Sequence, residues 1–118
     1  MTLSCTVDDL PQGCLICIRG RADTDAAVEI DRAFLQVTAV RPKLVVLDLS
    51  EMNFIASLII GSLINLNKAV TRRGGRLRLA ALQPLVADSF DRLRLQQVIE
   101  VWDTVASALA ADSAGSPD

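Results

Sequence analysis

Residues 44–67 read LVVLDLSEMNFIASLIIGSLINLN, and this stretch decides the fold of the chain. It begins with an apolar run from Leu44 to Leu49 that does not alternate, which predicts a strand buried on both faces in a parallel sheet. Asp48 is the one charge of the run and lies near its carboxyl end, where sites collect in open α/β sheets. A polar turn is expected over 50–54. The apolar residues that follow recur at helical spacing: Ile59, Leu63, Leu66 and Val70.

Ser57 lies at the junction of the strand and the helix, and two interpretations of it stay open. As an N-cap residue, its hydroxyl would accept a hydrogen bond from a backbone N–H of the first helical turn. As an exposed loop residue, the same hydroxyl would be displayed to a partner. A phosphate on it would meet free backbone N–H groups and the positive end of the helix dipole.

The remaining segments alternate between strand and helix patterns, with Pro42 and Gly74-Gly75 as helix ends. They predict an α/β fold in the order β-β-α-β-α-β-α-β-α, with a mixed, mostly parallel sheet of about 4–5 strands and about 4 helices. We expect strands over 2–7, 14–19, 44–49, 76–81 and 98–101, and helices over 23–40, 58–73, 84–93 and from Thr104. Residues 1–110 form one domain, and the small, polar tail 111–118 is expected to be disordered.

Helical spacing also predicts which side chains of the first and third helices face the core. The predicted core positions are Ala26, Ala27, Ile30, Phe34, Leu35, Val37, Leu85, Val86, Phe90 and Leu93. In the strand at 76–81, Leu77 and Leu79 alternate with Arg76 and Arg78. The cluster of Arg72, Arg73, Arg76 and Arg78 is interpreted as a solvated face, with binding of a phosphate or an acidic partner as the alternative.

The amino-acid composition argues against several classes of function. The 118 residues carry a net charge of −2 and four aromatic side chains, so a basic nucleic-acid footprint and a base-stacking platform are both absent. The chain has no histidine, which removes the commonest general base and metal ligand. No apolar stretch is long enough for a membrane span, and no secretory signal is visible, so we expect a cytoplasmic protein.

Cys14 and Cys17 form a C-x-x-C motif, the spacing of many zinc and redox sites. Here the two cysteines fall in a predicted strand, and residues three apart in a strand point to opposite faces. With Cys5, the chain has three cysteines and no second pair of ligands. We therefore expect reduced, unbridged thiols and no metal or cofactor.

Four segments of the sequence resemble those of a known protein family. The segments LVVLDLS, FIAS, GSLINLNKAVTRRGGRLRLAAL and VIEVWDTVASAL are similar to a STAS domain, the module of anti-sigma factor antagonists and of the cytoplasmic part of sulfate transporters. Gly20 to Asp23 resembles the family's Gly-x-x-Asp before the first helix. The loop from Phe54 to Ile59 resembles its Phe-x-Asp-Ser-Ser/Thr-Gly signature, with Ala56, Leu58 and Ile59 replacing the aspartate, second serine and glycine.

The resemblance implies a regulatory binding protein that is not an enzyme. Ser57 matches the serine that accepts a phosphate in antagonists switched by a kinase-type anti-sigma factor. The implied partner is such an anti-sigma factor, with no direct contact to nucleic acid. We expect Asp48 as a loop carboxylate beside Ser57, and a docking surface made of Asp23, Ala56, Ser57, Leu58, Gly61, Ser62, Asn65 and Lys68.

Helical spacing places Ser57, Gly61, Asn65, Lys68 and Arg72 on one stripe along the helix. Gly61 is interpreted either as a flat spot for close approach of a partner or as close packing against the chain's own sheet. Two other functions stay open. One is a STAS scaffold or transporter-associated subunit that is never phosphorylated, and the other is a module that binds a small ligand or nucleotide. No Walker loop and no Gly-x-Ser-x-Gly motif is present, which disfavours an enzyme.

Overall fold

The computed structural model describes residues 3–40 and 42–110. The first predicted strand therefore begins partly outside the described residues, and the predicted tail 111–118 lies wholly outside them. The described chain contains the strands β1 Ser4–Leu10, β2 Gly13–Ala22, β3 Leu44–Asp48, β4 Met52–Ile55, β5 Arg76–Ala80 and β6 Glu100–Trp102. Its helices are α1 Ala27–Val40, α2 Ser57–Arg72, α3 Pro84–Arg92 and α4 Val105–Ala110, with single 3-10 turns at Thr24–Ala26 and Leu95–Gln97.

The strands form one mixed sheet in the order β1-β2-β3-β5-β6. β1 pairs with β2 in antiparallel fashion, and the other pairs are parallel. This confirms the predicted α/β class and the antiparallel hairpin at the start of the chain. Each parallel connection passes through a helix, as parallel strands require. None of the helices within the described ranges is long and apolar enough to cross a membrane.

The structure adds a strand where the sequence predicted a turn. β4 pairs with the end of β2, with Arg21 opposite Phe54 and Ala22 opposite Ile55. Because β3 pairs with the first part of β2, β3 and β4 occupy the same edge of β2 one after the other. Met52 and Ile55 are buried, while Asn53 and Phe54 between them are exposed. This spacing does not alternate, so the strand was not visible as a strand pattern.

Helices α1, α2 and α3 contribute to the larger core, which lies on one face of the sheet. The predicted phase of α2 is confirmed, since Ile59, Leu63, Leu66 and Val70 are at most 3% exposed. Asn65 and Lys68 on the same helix are exposed, also as predicted. The predicted end of α2 is confirmed as well, because Gly74 has a φ of +82°, a conformation that costs glycine little.

Three leucines that were assigned to the core are exposed instead: Leu35 at 70%, Leu85 at 76% and Leu93 at 57%. Leu35 follows Phe34, which is buried, and neighbours in a helix point about 100° apart. In α3 the buried positions are Val86 and Phe90, which are four residues apart, so Leu85 falls outside the buried stripe. Apolar content alone therefore overestimated the width of the buried stripe.

The opposite face of the sheet carries a smaller core, in which α4 packs its Ala108 against Leu44, Val46 and Ala80. The predicted capping residue of α4 is confirmed, because the Ser107 amide donates to the Thr104 hydroxyl at 3.0 Å.

Arg78 also points to this face and is completely buried. Its Nε donates to Glu100 at 3.2 Å, and its Nη1 donates to the Ala108 carbonyl at 2.7 Å. The guanidinium also lies 5.0 Å from the centre of the Trp102 ring. The prediction that Arg78 belongs to a solvated basic face is wrong, because this network replaces the water that a charged side chain otherwise needs.

We expect Arg78→Ala to destabilise the domain by about 3 kcal/mol, because it removes a buried ion pair and leaves a cavity under α4. Arg78→Met should cost less, roughly 1 kcal/mol, since it refills the space and Arg76 still pairs with Glu100 at 2.8 Å. Arg76→Ala is the matched control and should cost under about 1 kcal/mol, because that arginine is partly exposed. Urea unfolding of the three variants provides the measurement. Equal losses for Arg78→Ala and Arg76→Ala would contradict the network's importance.

Candidate functional site

The candidate site lies where β2 and β4 end together at the carboxyl edge of the sheet. The Ala56 amide donates to the Ala22 carbonyl at 2.8 Å, which extends the β2–β4 pairing by one residue. Asp23, which follows β2, and Ser57, which begins α2, therefore leave the sheet side by side. The structure thus brings two predicted site residues, Asp23 and Ser57, to the same edge.

The helix is capped by Ala56 and not by Ser57. Ala56 has the extended conformation of a capping residue, with φ −84° and ψ 156°, and its carbonyl accepts from the Ile59 and Ile60 amides. An alanine has no side-chain acceptor, and accordingly α2 has no side-chain capping hydrogen bond. The interpretation of Ser57 as the N-cap is wrong, because the helix begins at Ser57 itself, one residue earlier than the apolar pattern indicated.

The Ser57 side chain is exposed and makes no hydrogen bond to any residue within 3–40 and 42–110. Its hydroxyl is therefore accessible at the first helical position, beside amides of the first turn that lack an intrahelical partner. Asp23 is half-buried and caps the 3-10 turn only through its carbonyl, which accepts from the Ala26 amide at 3.0 Å.

Asp48 is not part of this site. It pairs with Cys17 of β2, whereas Ile55, two residues before Ser57, pairs with Ala22. Five residues of strand separate the two register positions, a distance of roughly 16 Å. The Asp48 carboxylate instead accepts from the Ser50 amide at 3.0 Å and from the Cys17 thiol at 3.7 Å. The predicted loop carboxylate therefore holds the β3–β4 turn.

The predicted stripe on α2 is a continuous surface. Ser57, Asn65, Lys68 and Arg72 are exposed, and Gly61 is partly exposed. Leu58, in the first turn, is 54% exposed, and Ser62 is partly exposed beside the α1–α2 groove. A Cβ built at Gly61 meets nothing within 4 Å. Close packing against the chain's own sheet is thus wrong as an explanation of this glycine.

The basic cluster, in contrast, is not one surface. Arg76 and Arg78 share Glu100, and the Arg73 Nη1 donates to the Thr38 carbonyl at 2.6 Å near the end of α1. The interpretation of the four arginines as one solvated face fails because three of them bind other parts of the chain. Arg72 alone extends the stripe as an exposed cation.

The cysteines are free thiols, and Cys14 and Cys17 lie in one strand, as predicted. Burial raises the pKa of both thiols, and the neighbouring carboxylates, Asp9 for Cys14 and Asp48 for Cys17, raise it further. Burial and then Glu29 raise the pKa of Cys5 to about 11. Such thiols are poor nucleophiles near neutral pH. Among the described residues, no group of three or more acidic or cysteine side chains is placed to hold a metal ion.

We expect Ala56→Asp to stabilise the domain by about 1 kcal/mol, because it supplies the missing side-chain cap. Ala56→Asn is the control without a charge and should give a similar gain, which separates capping from electrostatics near Asp23. Ser57→Ala should change the free energy of unfolding by less than about 0.5 kcal/mol, since no capping bond is lost. Chemical unfolding measures all three. A loss of 1 kcal/mol or more in Ser57→Ala would restore Ser57 as the cap.

Comparison with known proteins identifies solved structures with the same fold. Among curated proteins, none matches the chain. Among solved structures, an anti-sigma factor antagonist from Mycobacterium paratuberculosis superposes with a TM-score of 0.85 at 21% identity, over 92% of both chains. The phosphorylated form of the Bacillus cell fate determinant SpoIIAA gives a TM-score of 0.69 at 15% identity, over 89% of this chain and 96% of that one.

A sulfate transporter family protein from Wolinella succinogenes gives a TM-score of 0.67 at 18% identity, over 81% of this chain and 80% of that one. At these identities the likeness concerns the fold. The model of the STAS domain family matches residues 6–108, which include most of β1, all of β2 to β6, all of α1 to α3 and the Ser57 site. The chain belongs to the STAS domain family.

Proposed function

We propose that this domain is an anti-sigma factor antagonist that binds a kinase-type anti-sigma factor and is released when Ser57 is phosphorylated. The observation that supports this proposal most is that the Ser57 hydroxyl is exposed and has no structural role within the described residues. Its side chain is exposed at the first position of α2 and is not used for capping or any other hydrogen bond within the described residues. A hydroxyl without a structural role is one that a kinase can modify without unfolding the domain.

The switch follows from the charge that a phosphate adds. A phosphoserine carries about −1.5 to −2 charges at neutral pH, and here the amides of the first turn and the helix dipole favour it. The helix therefore persists after modification. A partner docked over Ser57 would have to desolvate this charge, which is costly unless the partner offers a cation. Phosphorylation thus weakens binding while the fold is retained.

The stripe on α2 supports a protein partner. It is polar at one end and basic at the other, with Lys68 and Arg72 exposed. Gly61 costs about 1 kcal/mol relative to alanine inside a helix, and no contact within 4 Å of a Cβ explains it. The absence of a side chain there lets a partner's backbone approach α2 closely. In this proposal the domain is a regulator and not an enzyme, and it acts in the cytoplasm where sigma factors act.

A second function is favoured by one residue. Ala56 stands at the N-cap, where the resemblance places an aspartate, so the chain lacks a carboxylate next to the acceptor hydroxyl. Without it, the same surface serves as a permanent docking site, as in a scaffold or transporter-associated STAS domain. The similar fold of the Wolinella sulfate transporter family protein agrees with this alternative. The two functions differ in whether Ser57 is ever modified.

Ser57→Asp is expected to fold as well as the wild type, because an acidic residue is favourable in the first turn. Its affinity for the anti-sigma factor should fall at least about tenfold, which corresponds to roughly 1.4 kcal/mol. Ser57→Ala is the matched neutral control and should bind like the wild type. Calorimetric titration against each kinase-type anti-sigma factor of the host gives the affinities. Unchanged binding of Ser57→Asp would contradict the switch.

Incubation with the same anti-sigma factors and ATP, followed by intact-mass measurement, tests the covalent step. We expect one phosphate on the wild type and none on Ser57→Ala. If the wild type stays unmodified, Ala56→Asp is the next variant, since it restores the carboxylate beside the acceptor. The absence of phosphate on both, together with normal binding of Ser57→Asp, would replace the switch by the permanent scaffold.

Gly61→Ala should change stability and binding in opposite directions. Unfolding should become about 1 kcal/mol less favourable, because alanine is the better helix former and its Cβ has free space. Binding of the anti-sigma factor should weaken, and Gly61→Leu should weaken it further, if a partner packs against this spot. Denaturation and titration of the same samples test both effects. A stabilised Gly61→Leu with wild-type affinity would place the interface elsewhere.

A further inference from the structure

A small groove next to Ser57 has no use in the domain's own packing. It runs between β4 and α3 and has a volume of about 200 Å³. Its lining residues are Asn53, Phe54, Ile55, Leu85, Val86, Asp88, Ser89 and Arg92. Pockets for small molecules usually measure about 300–1,000 Å³, so this groove suits a single large side chain better than a cofactor.

The lining of the groove includes two exposed apolar side chains. Leu85 is 76% exposed and Phe54 is 37% exposed, on opposite sides of the groove. Val86 and Phe90 already anchor α3 to the core at 1% exposure each, so the core does not need Leu85. Exposed leucines at a groove are typical of a binding surface, whereas scattered ones need no explanation.

A cation lies over Phe54 at this groove. The Arg21 guanidinium lies 4.1 Å from the centre of the Phe54 ring, a stacking distance that holds the side chain in place. Within the described residues no carboxylate lies at ion-pair distance from Arg21, whereas Arg19 pairs with Glu51 and Arg92 with Asp88. Arg21 is exposed and is therefore an ordered positive charge available to a partner.

We propose that this groove is the second half of the docking surface and binds a partner segment in which a large apolar residue lies beside an acidic one. The apolar side chain fills the space between Phe54 and Leu85, and the carboxylate pairs with Arg21. A few buried anchors supply most of the binding energy of an interface, and a flanking ion pair adds specificity and association rate. The inference rests on the proposed function only in assuming that the same protein also covers Ser57.

The proposed occupant also explains how a phosphate would act at this surface. Phe54 and Ser57 are three residues apart, so their Cα atoms are separated by at most about 11 Å. This upper limit exceeds the Debye length of about 8 Å at physiological ionic strength, but charges that are partly buried in a docked interface are screened much less than exposed ones. A phosphate on Ser57 would therefore repel the acidic residue held by Arg21. The groove makes the switch stronger than desolvation at Ser57 alone would.

Peptide selection against the whole chain tests the groove without knowledge of the partner. A phage library of random peptides should be enriched in sequences that carry Leu, Ile, Phe or Trp next to Asp or Glu. Leu85→Ser should weaken a selected peptide on the order of tenfold. Val40→Ser removes a similarly exposed apolar side chain from the end of α1, at the opposite edge of the sheet, and is the matched control, which should bind like the wild type. Arg21→Glu should reverse the charge preference, so that the selected peptides carry a basic residue, and not an acidic one, beside the apolar residue.

Amide chemical shifts in a titration with the selected peptide should change mainly in 52–58 and 84–92. Enrichment without an acidic residue, or equal binding by Leu85→Ser and Val40→Ser, would overturn the proposal. Self-association of the wild type that Leu85→Ser abolishes would overturn it too, since the occupant would then be a second copy of the chain. Unchanged anti-sigma factor binding by Ser57→Asp with intact peptide selection would refute the proposed function alone, because the groove would still bind its peptide.

Discussion

The architecture depends on the pairing of one long strand with two short ones. β2 has ten residues, and its second edge is shared by β3 and β4, which follow each other with a turn between them. Because both are parallel to β2, the chain continues in the same direction after the turn and leaves the sheet beyond Ala22. The Ala56–Ala22 hydrogen bond then fixes where α2 begins.

The sequence allowed the prediction of those parts of the fold that depend on local periodicity. The apolar run of β3, the helical spacing of α2 and the glycine pair after it are each decided by neighbours in the chain. β4 could not be predicted, because its buried residues Met52 and Ile55 are three apart and its polar residues suggested a turn. Its pairing is decided by β2, more than 30 residues away in the chain.

In the candidate site, too, the features set by neighbours in the chain were predicted, and those set by distant residues were not. Ser57 and the α2 stripe follow from spacing and from the resemblance, and the structure places them on one surface. The prediction that Asp48 lies beside Ser57 was wrong because the register of β2 with β3 and β4 cannot be derived from the sequence. Arg78 was misplaced because its burial depends on Glu100 and Ala108, which follow it by more than 20 residues. The Arg21–Phe54 contact was also missed, since only the β2–β4 register brings these two residues together.

The position of α4 has a practical consequence for any attachment to this domain. Arg78 holds the Ala108 carbonyl on the face of the sheet opposite to the core of α1 and α2. A linker or reporter attached to an exposed residue of α4, such as Ala110, therefore lies behind the sheet and leaves α2 unobstructed. The domain is suited to immobilisation or fluorescent labelling through α4, and several copies on one support would all present α2 outward.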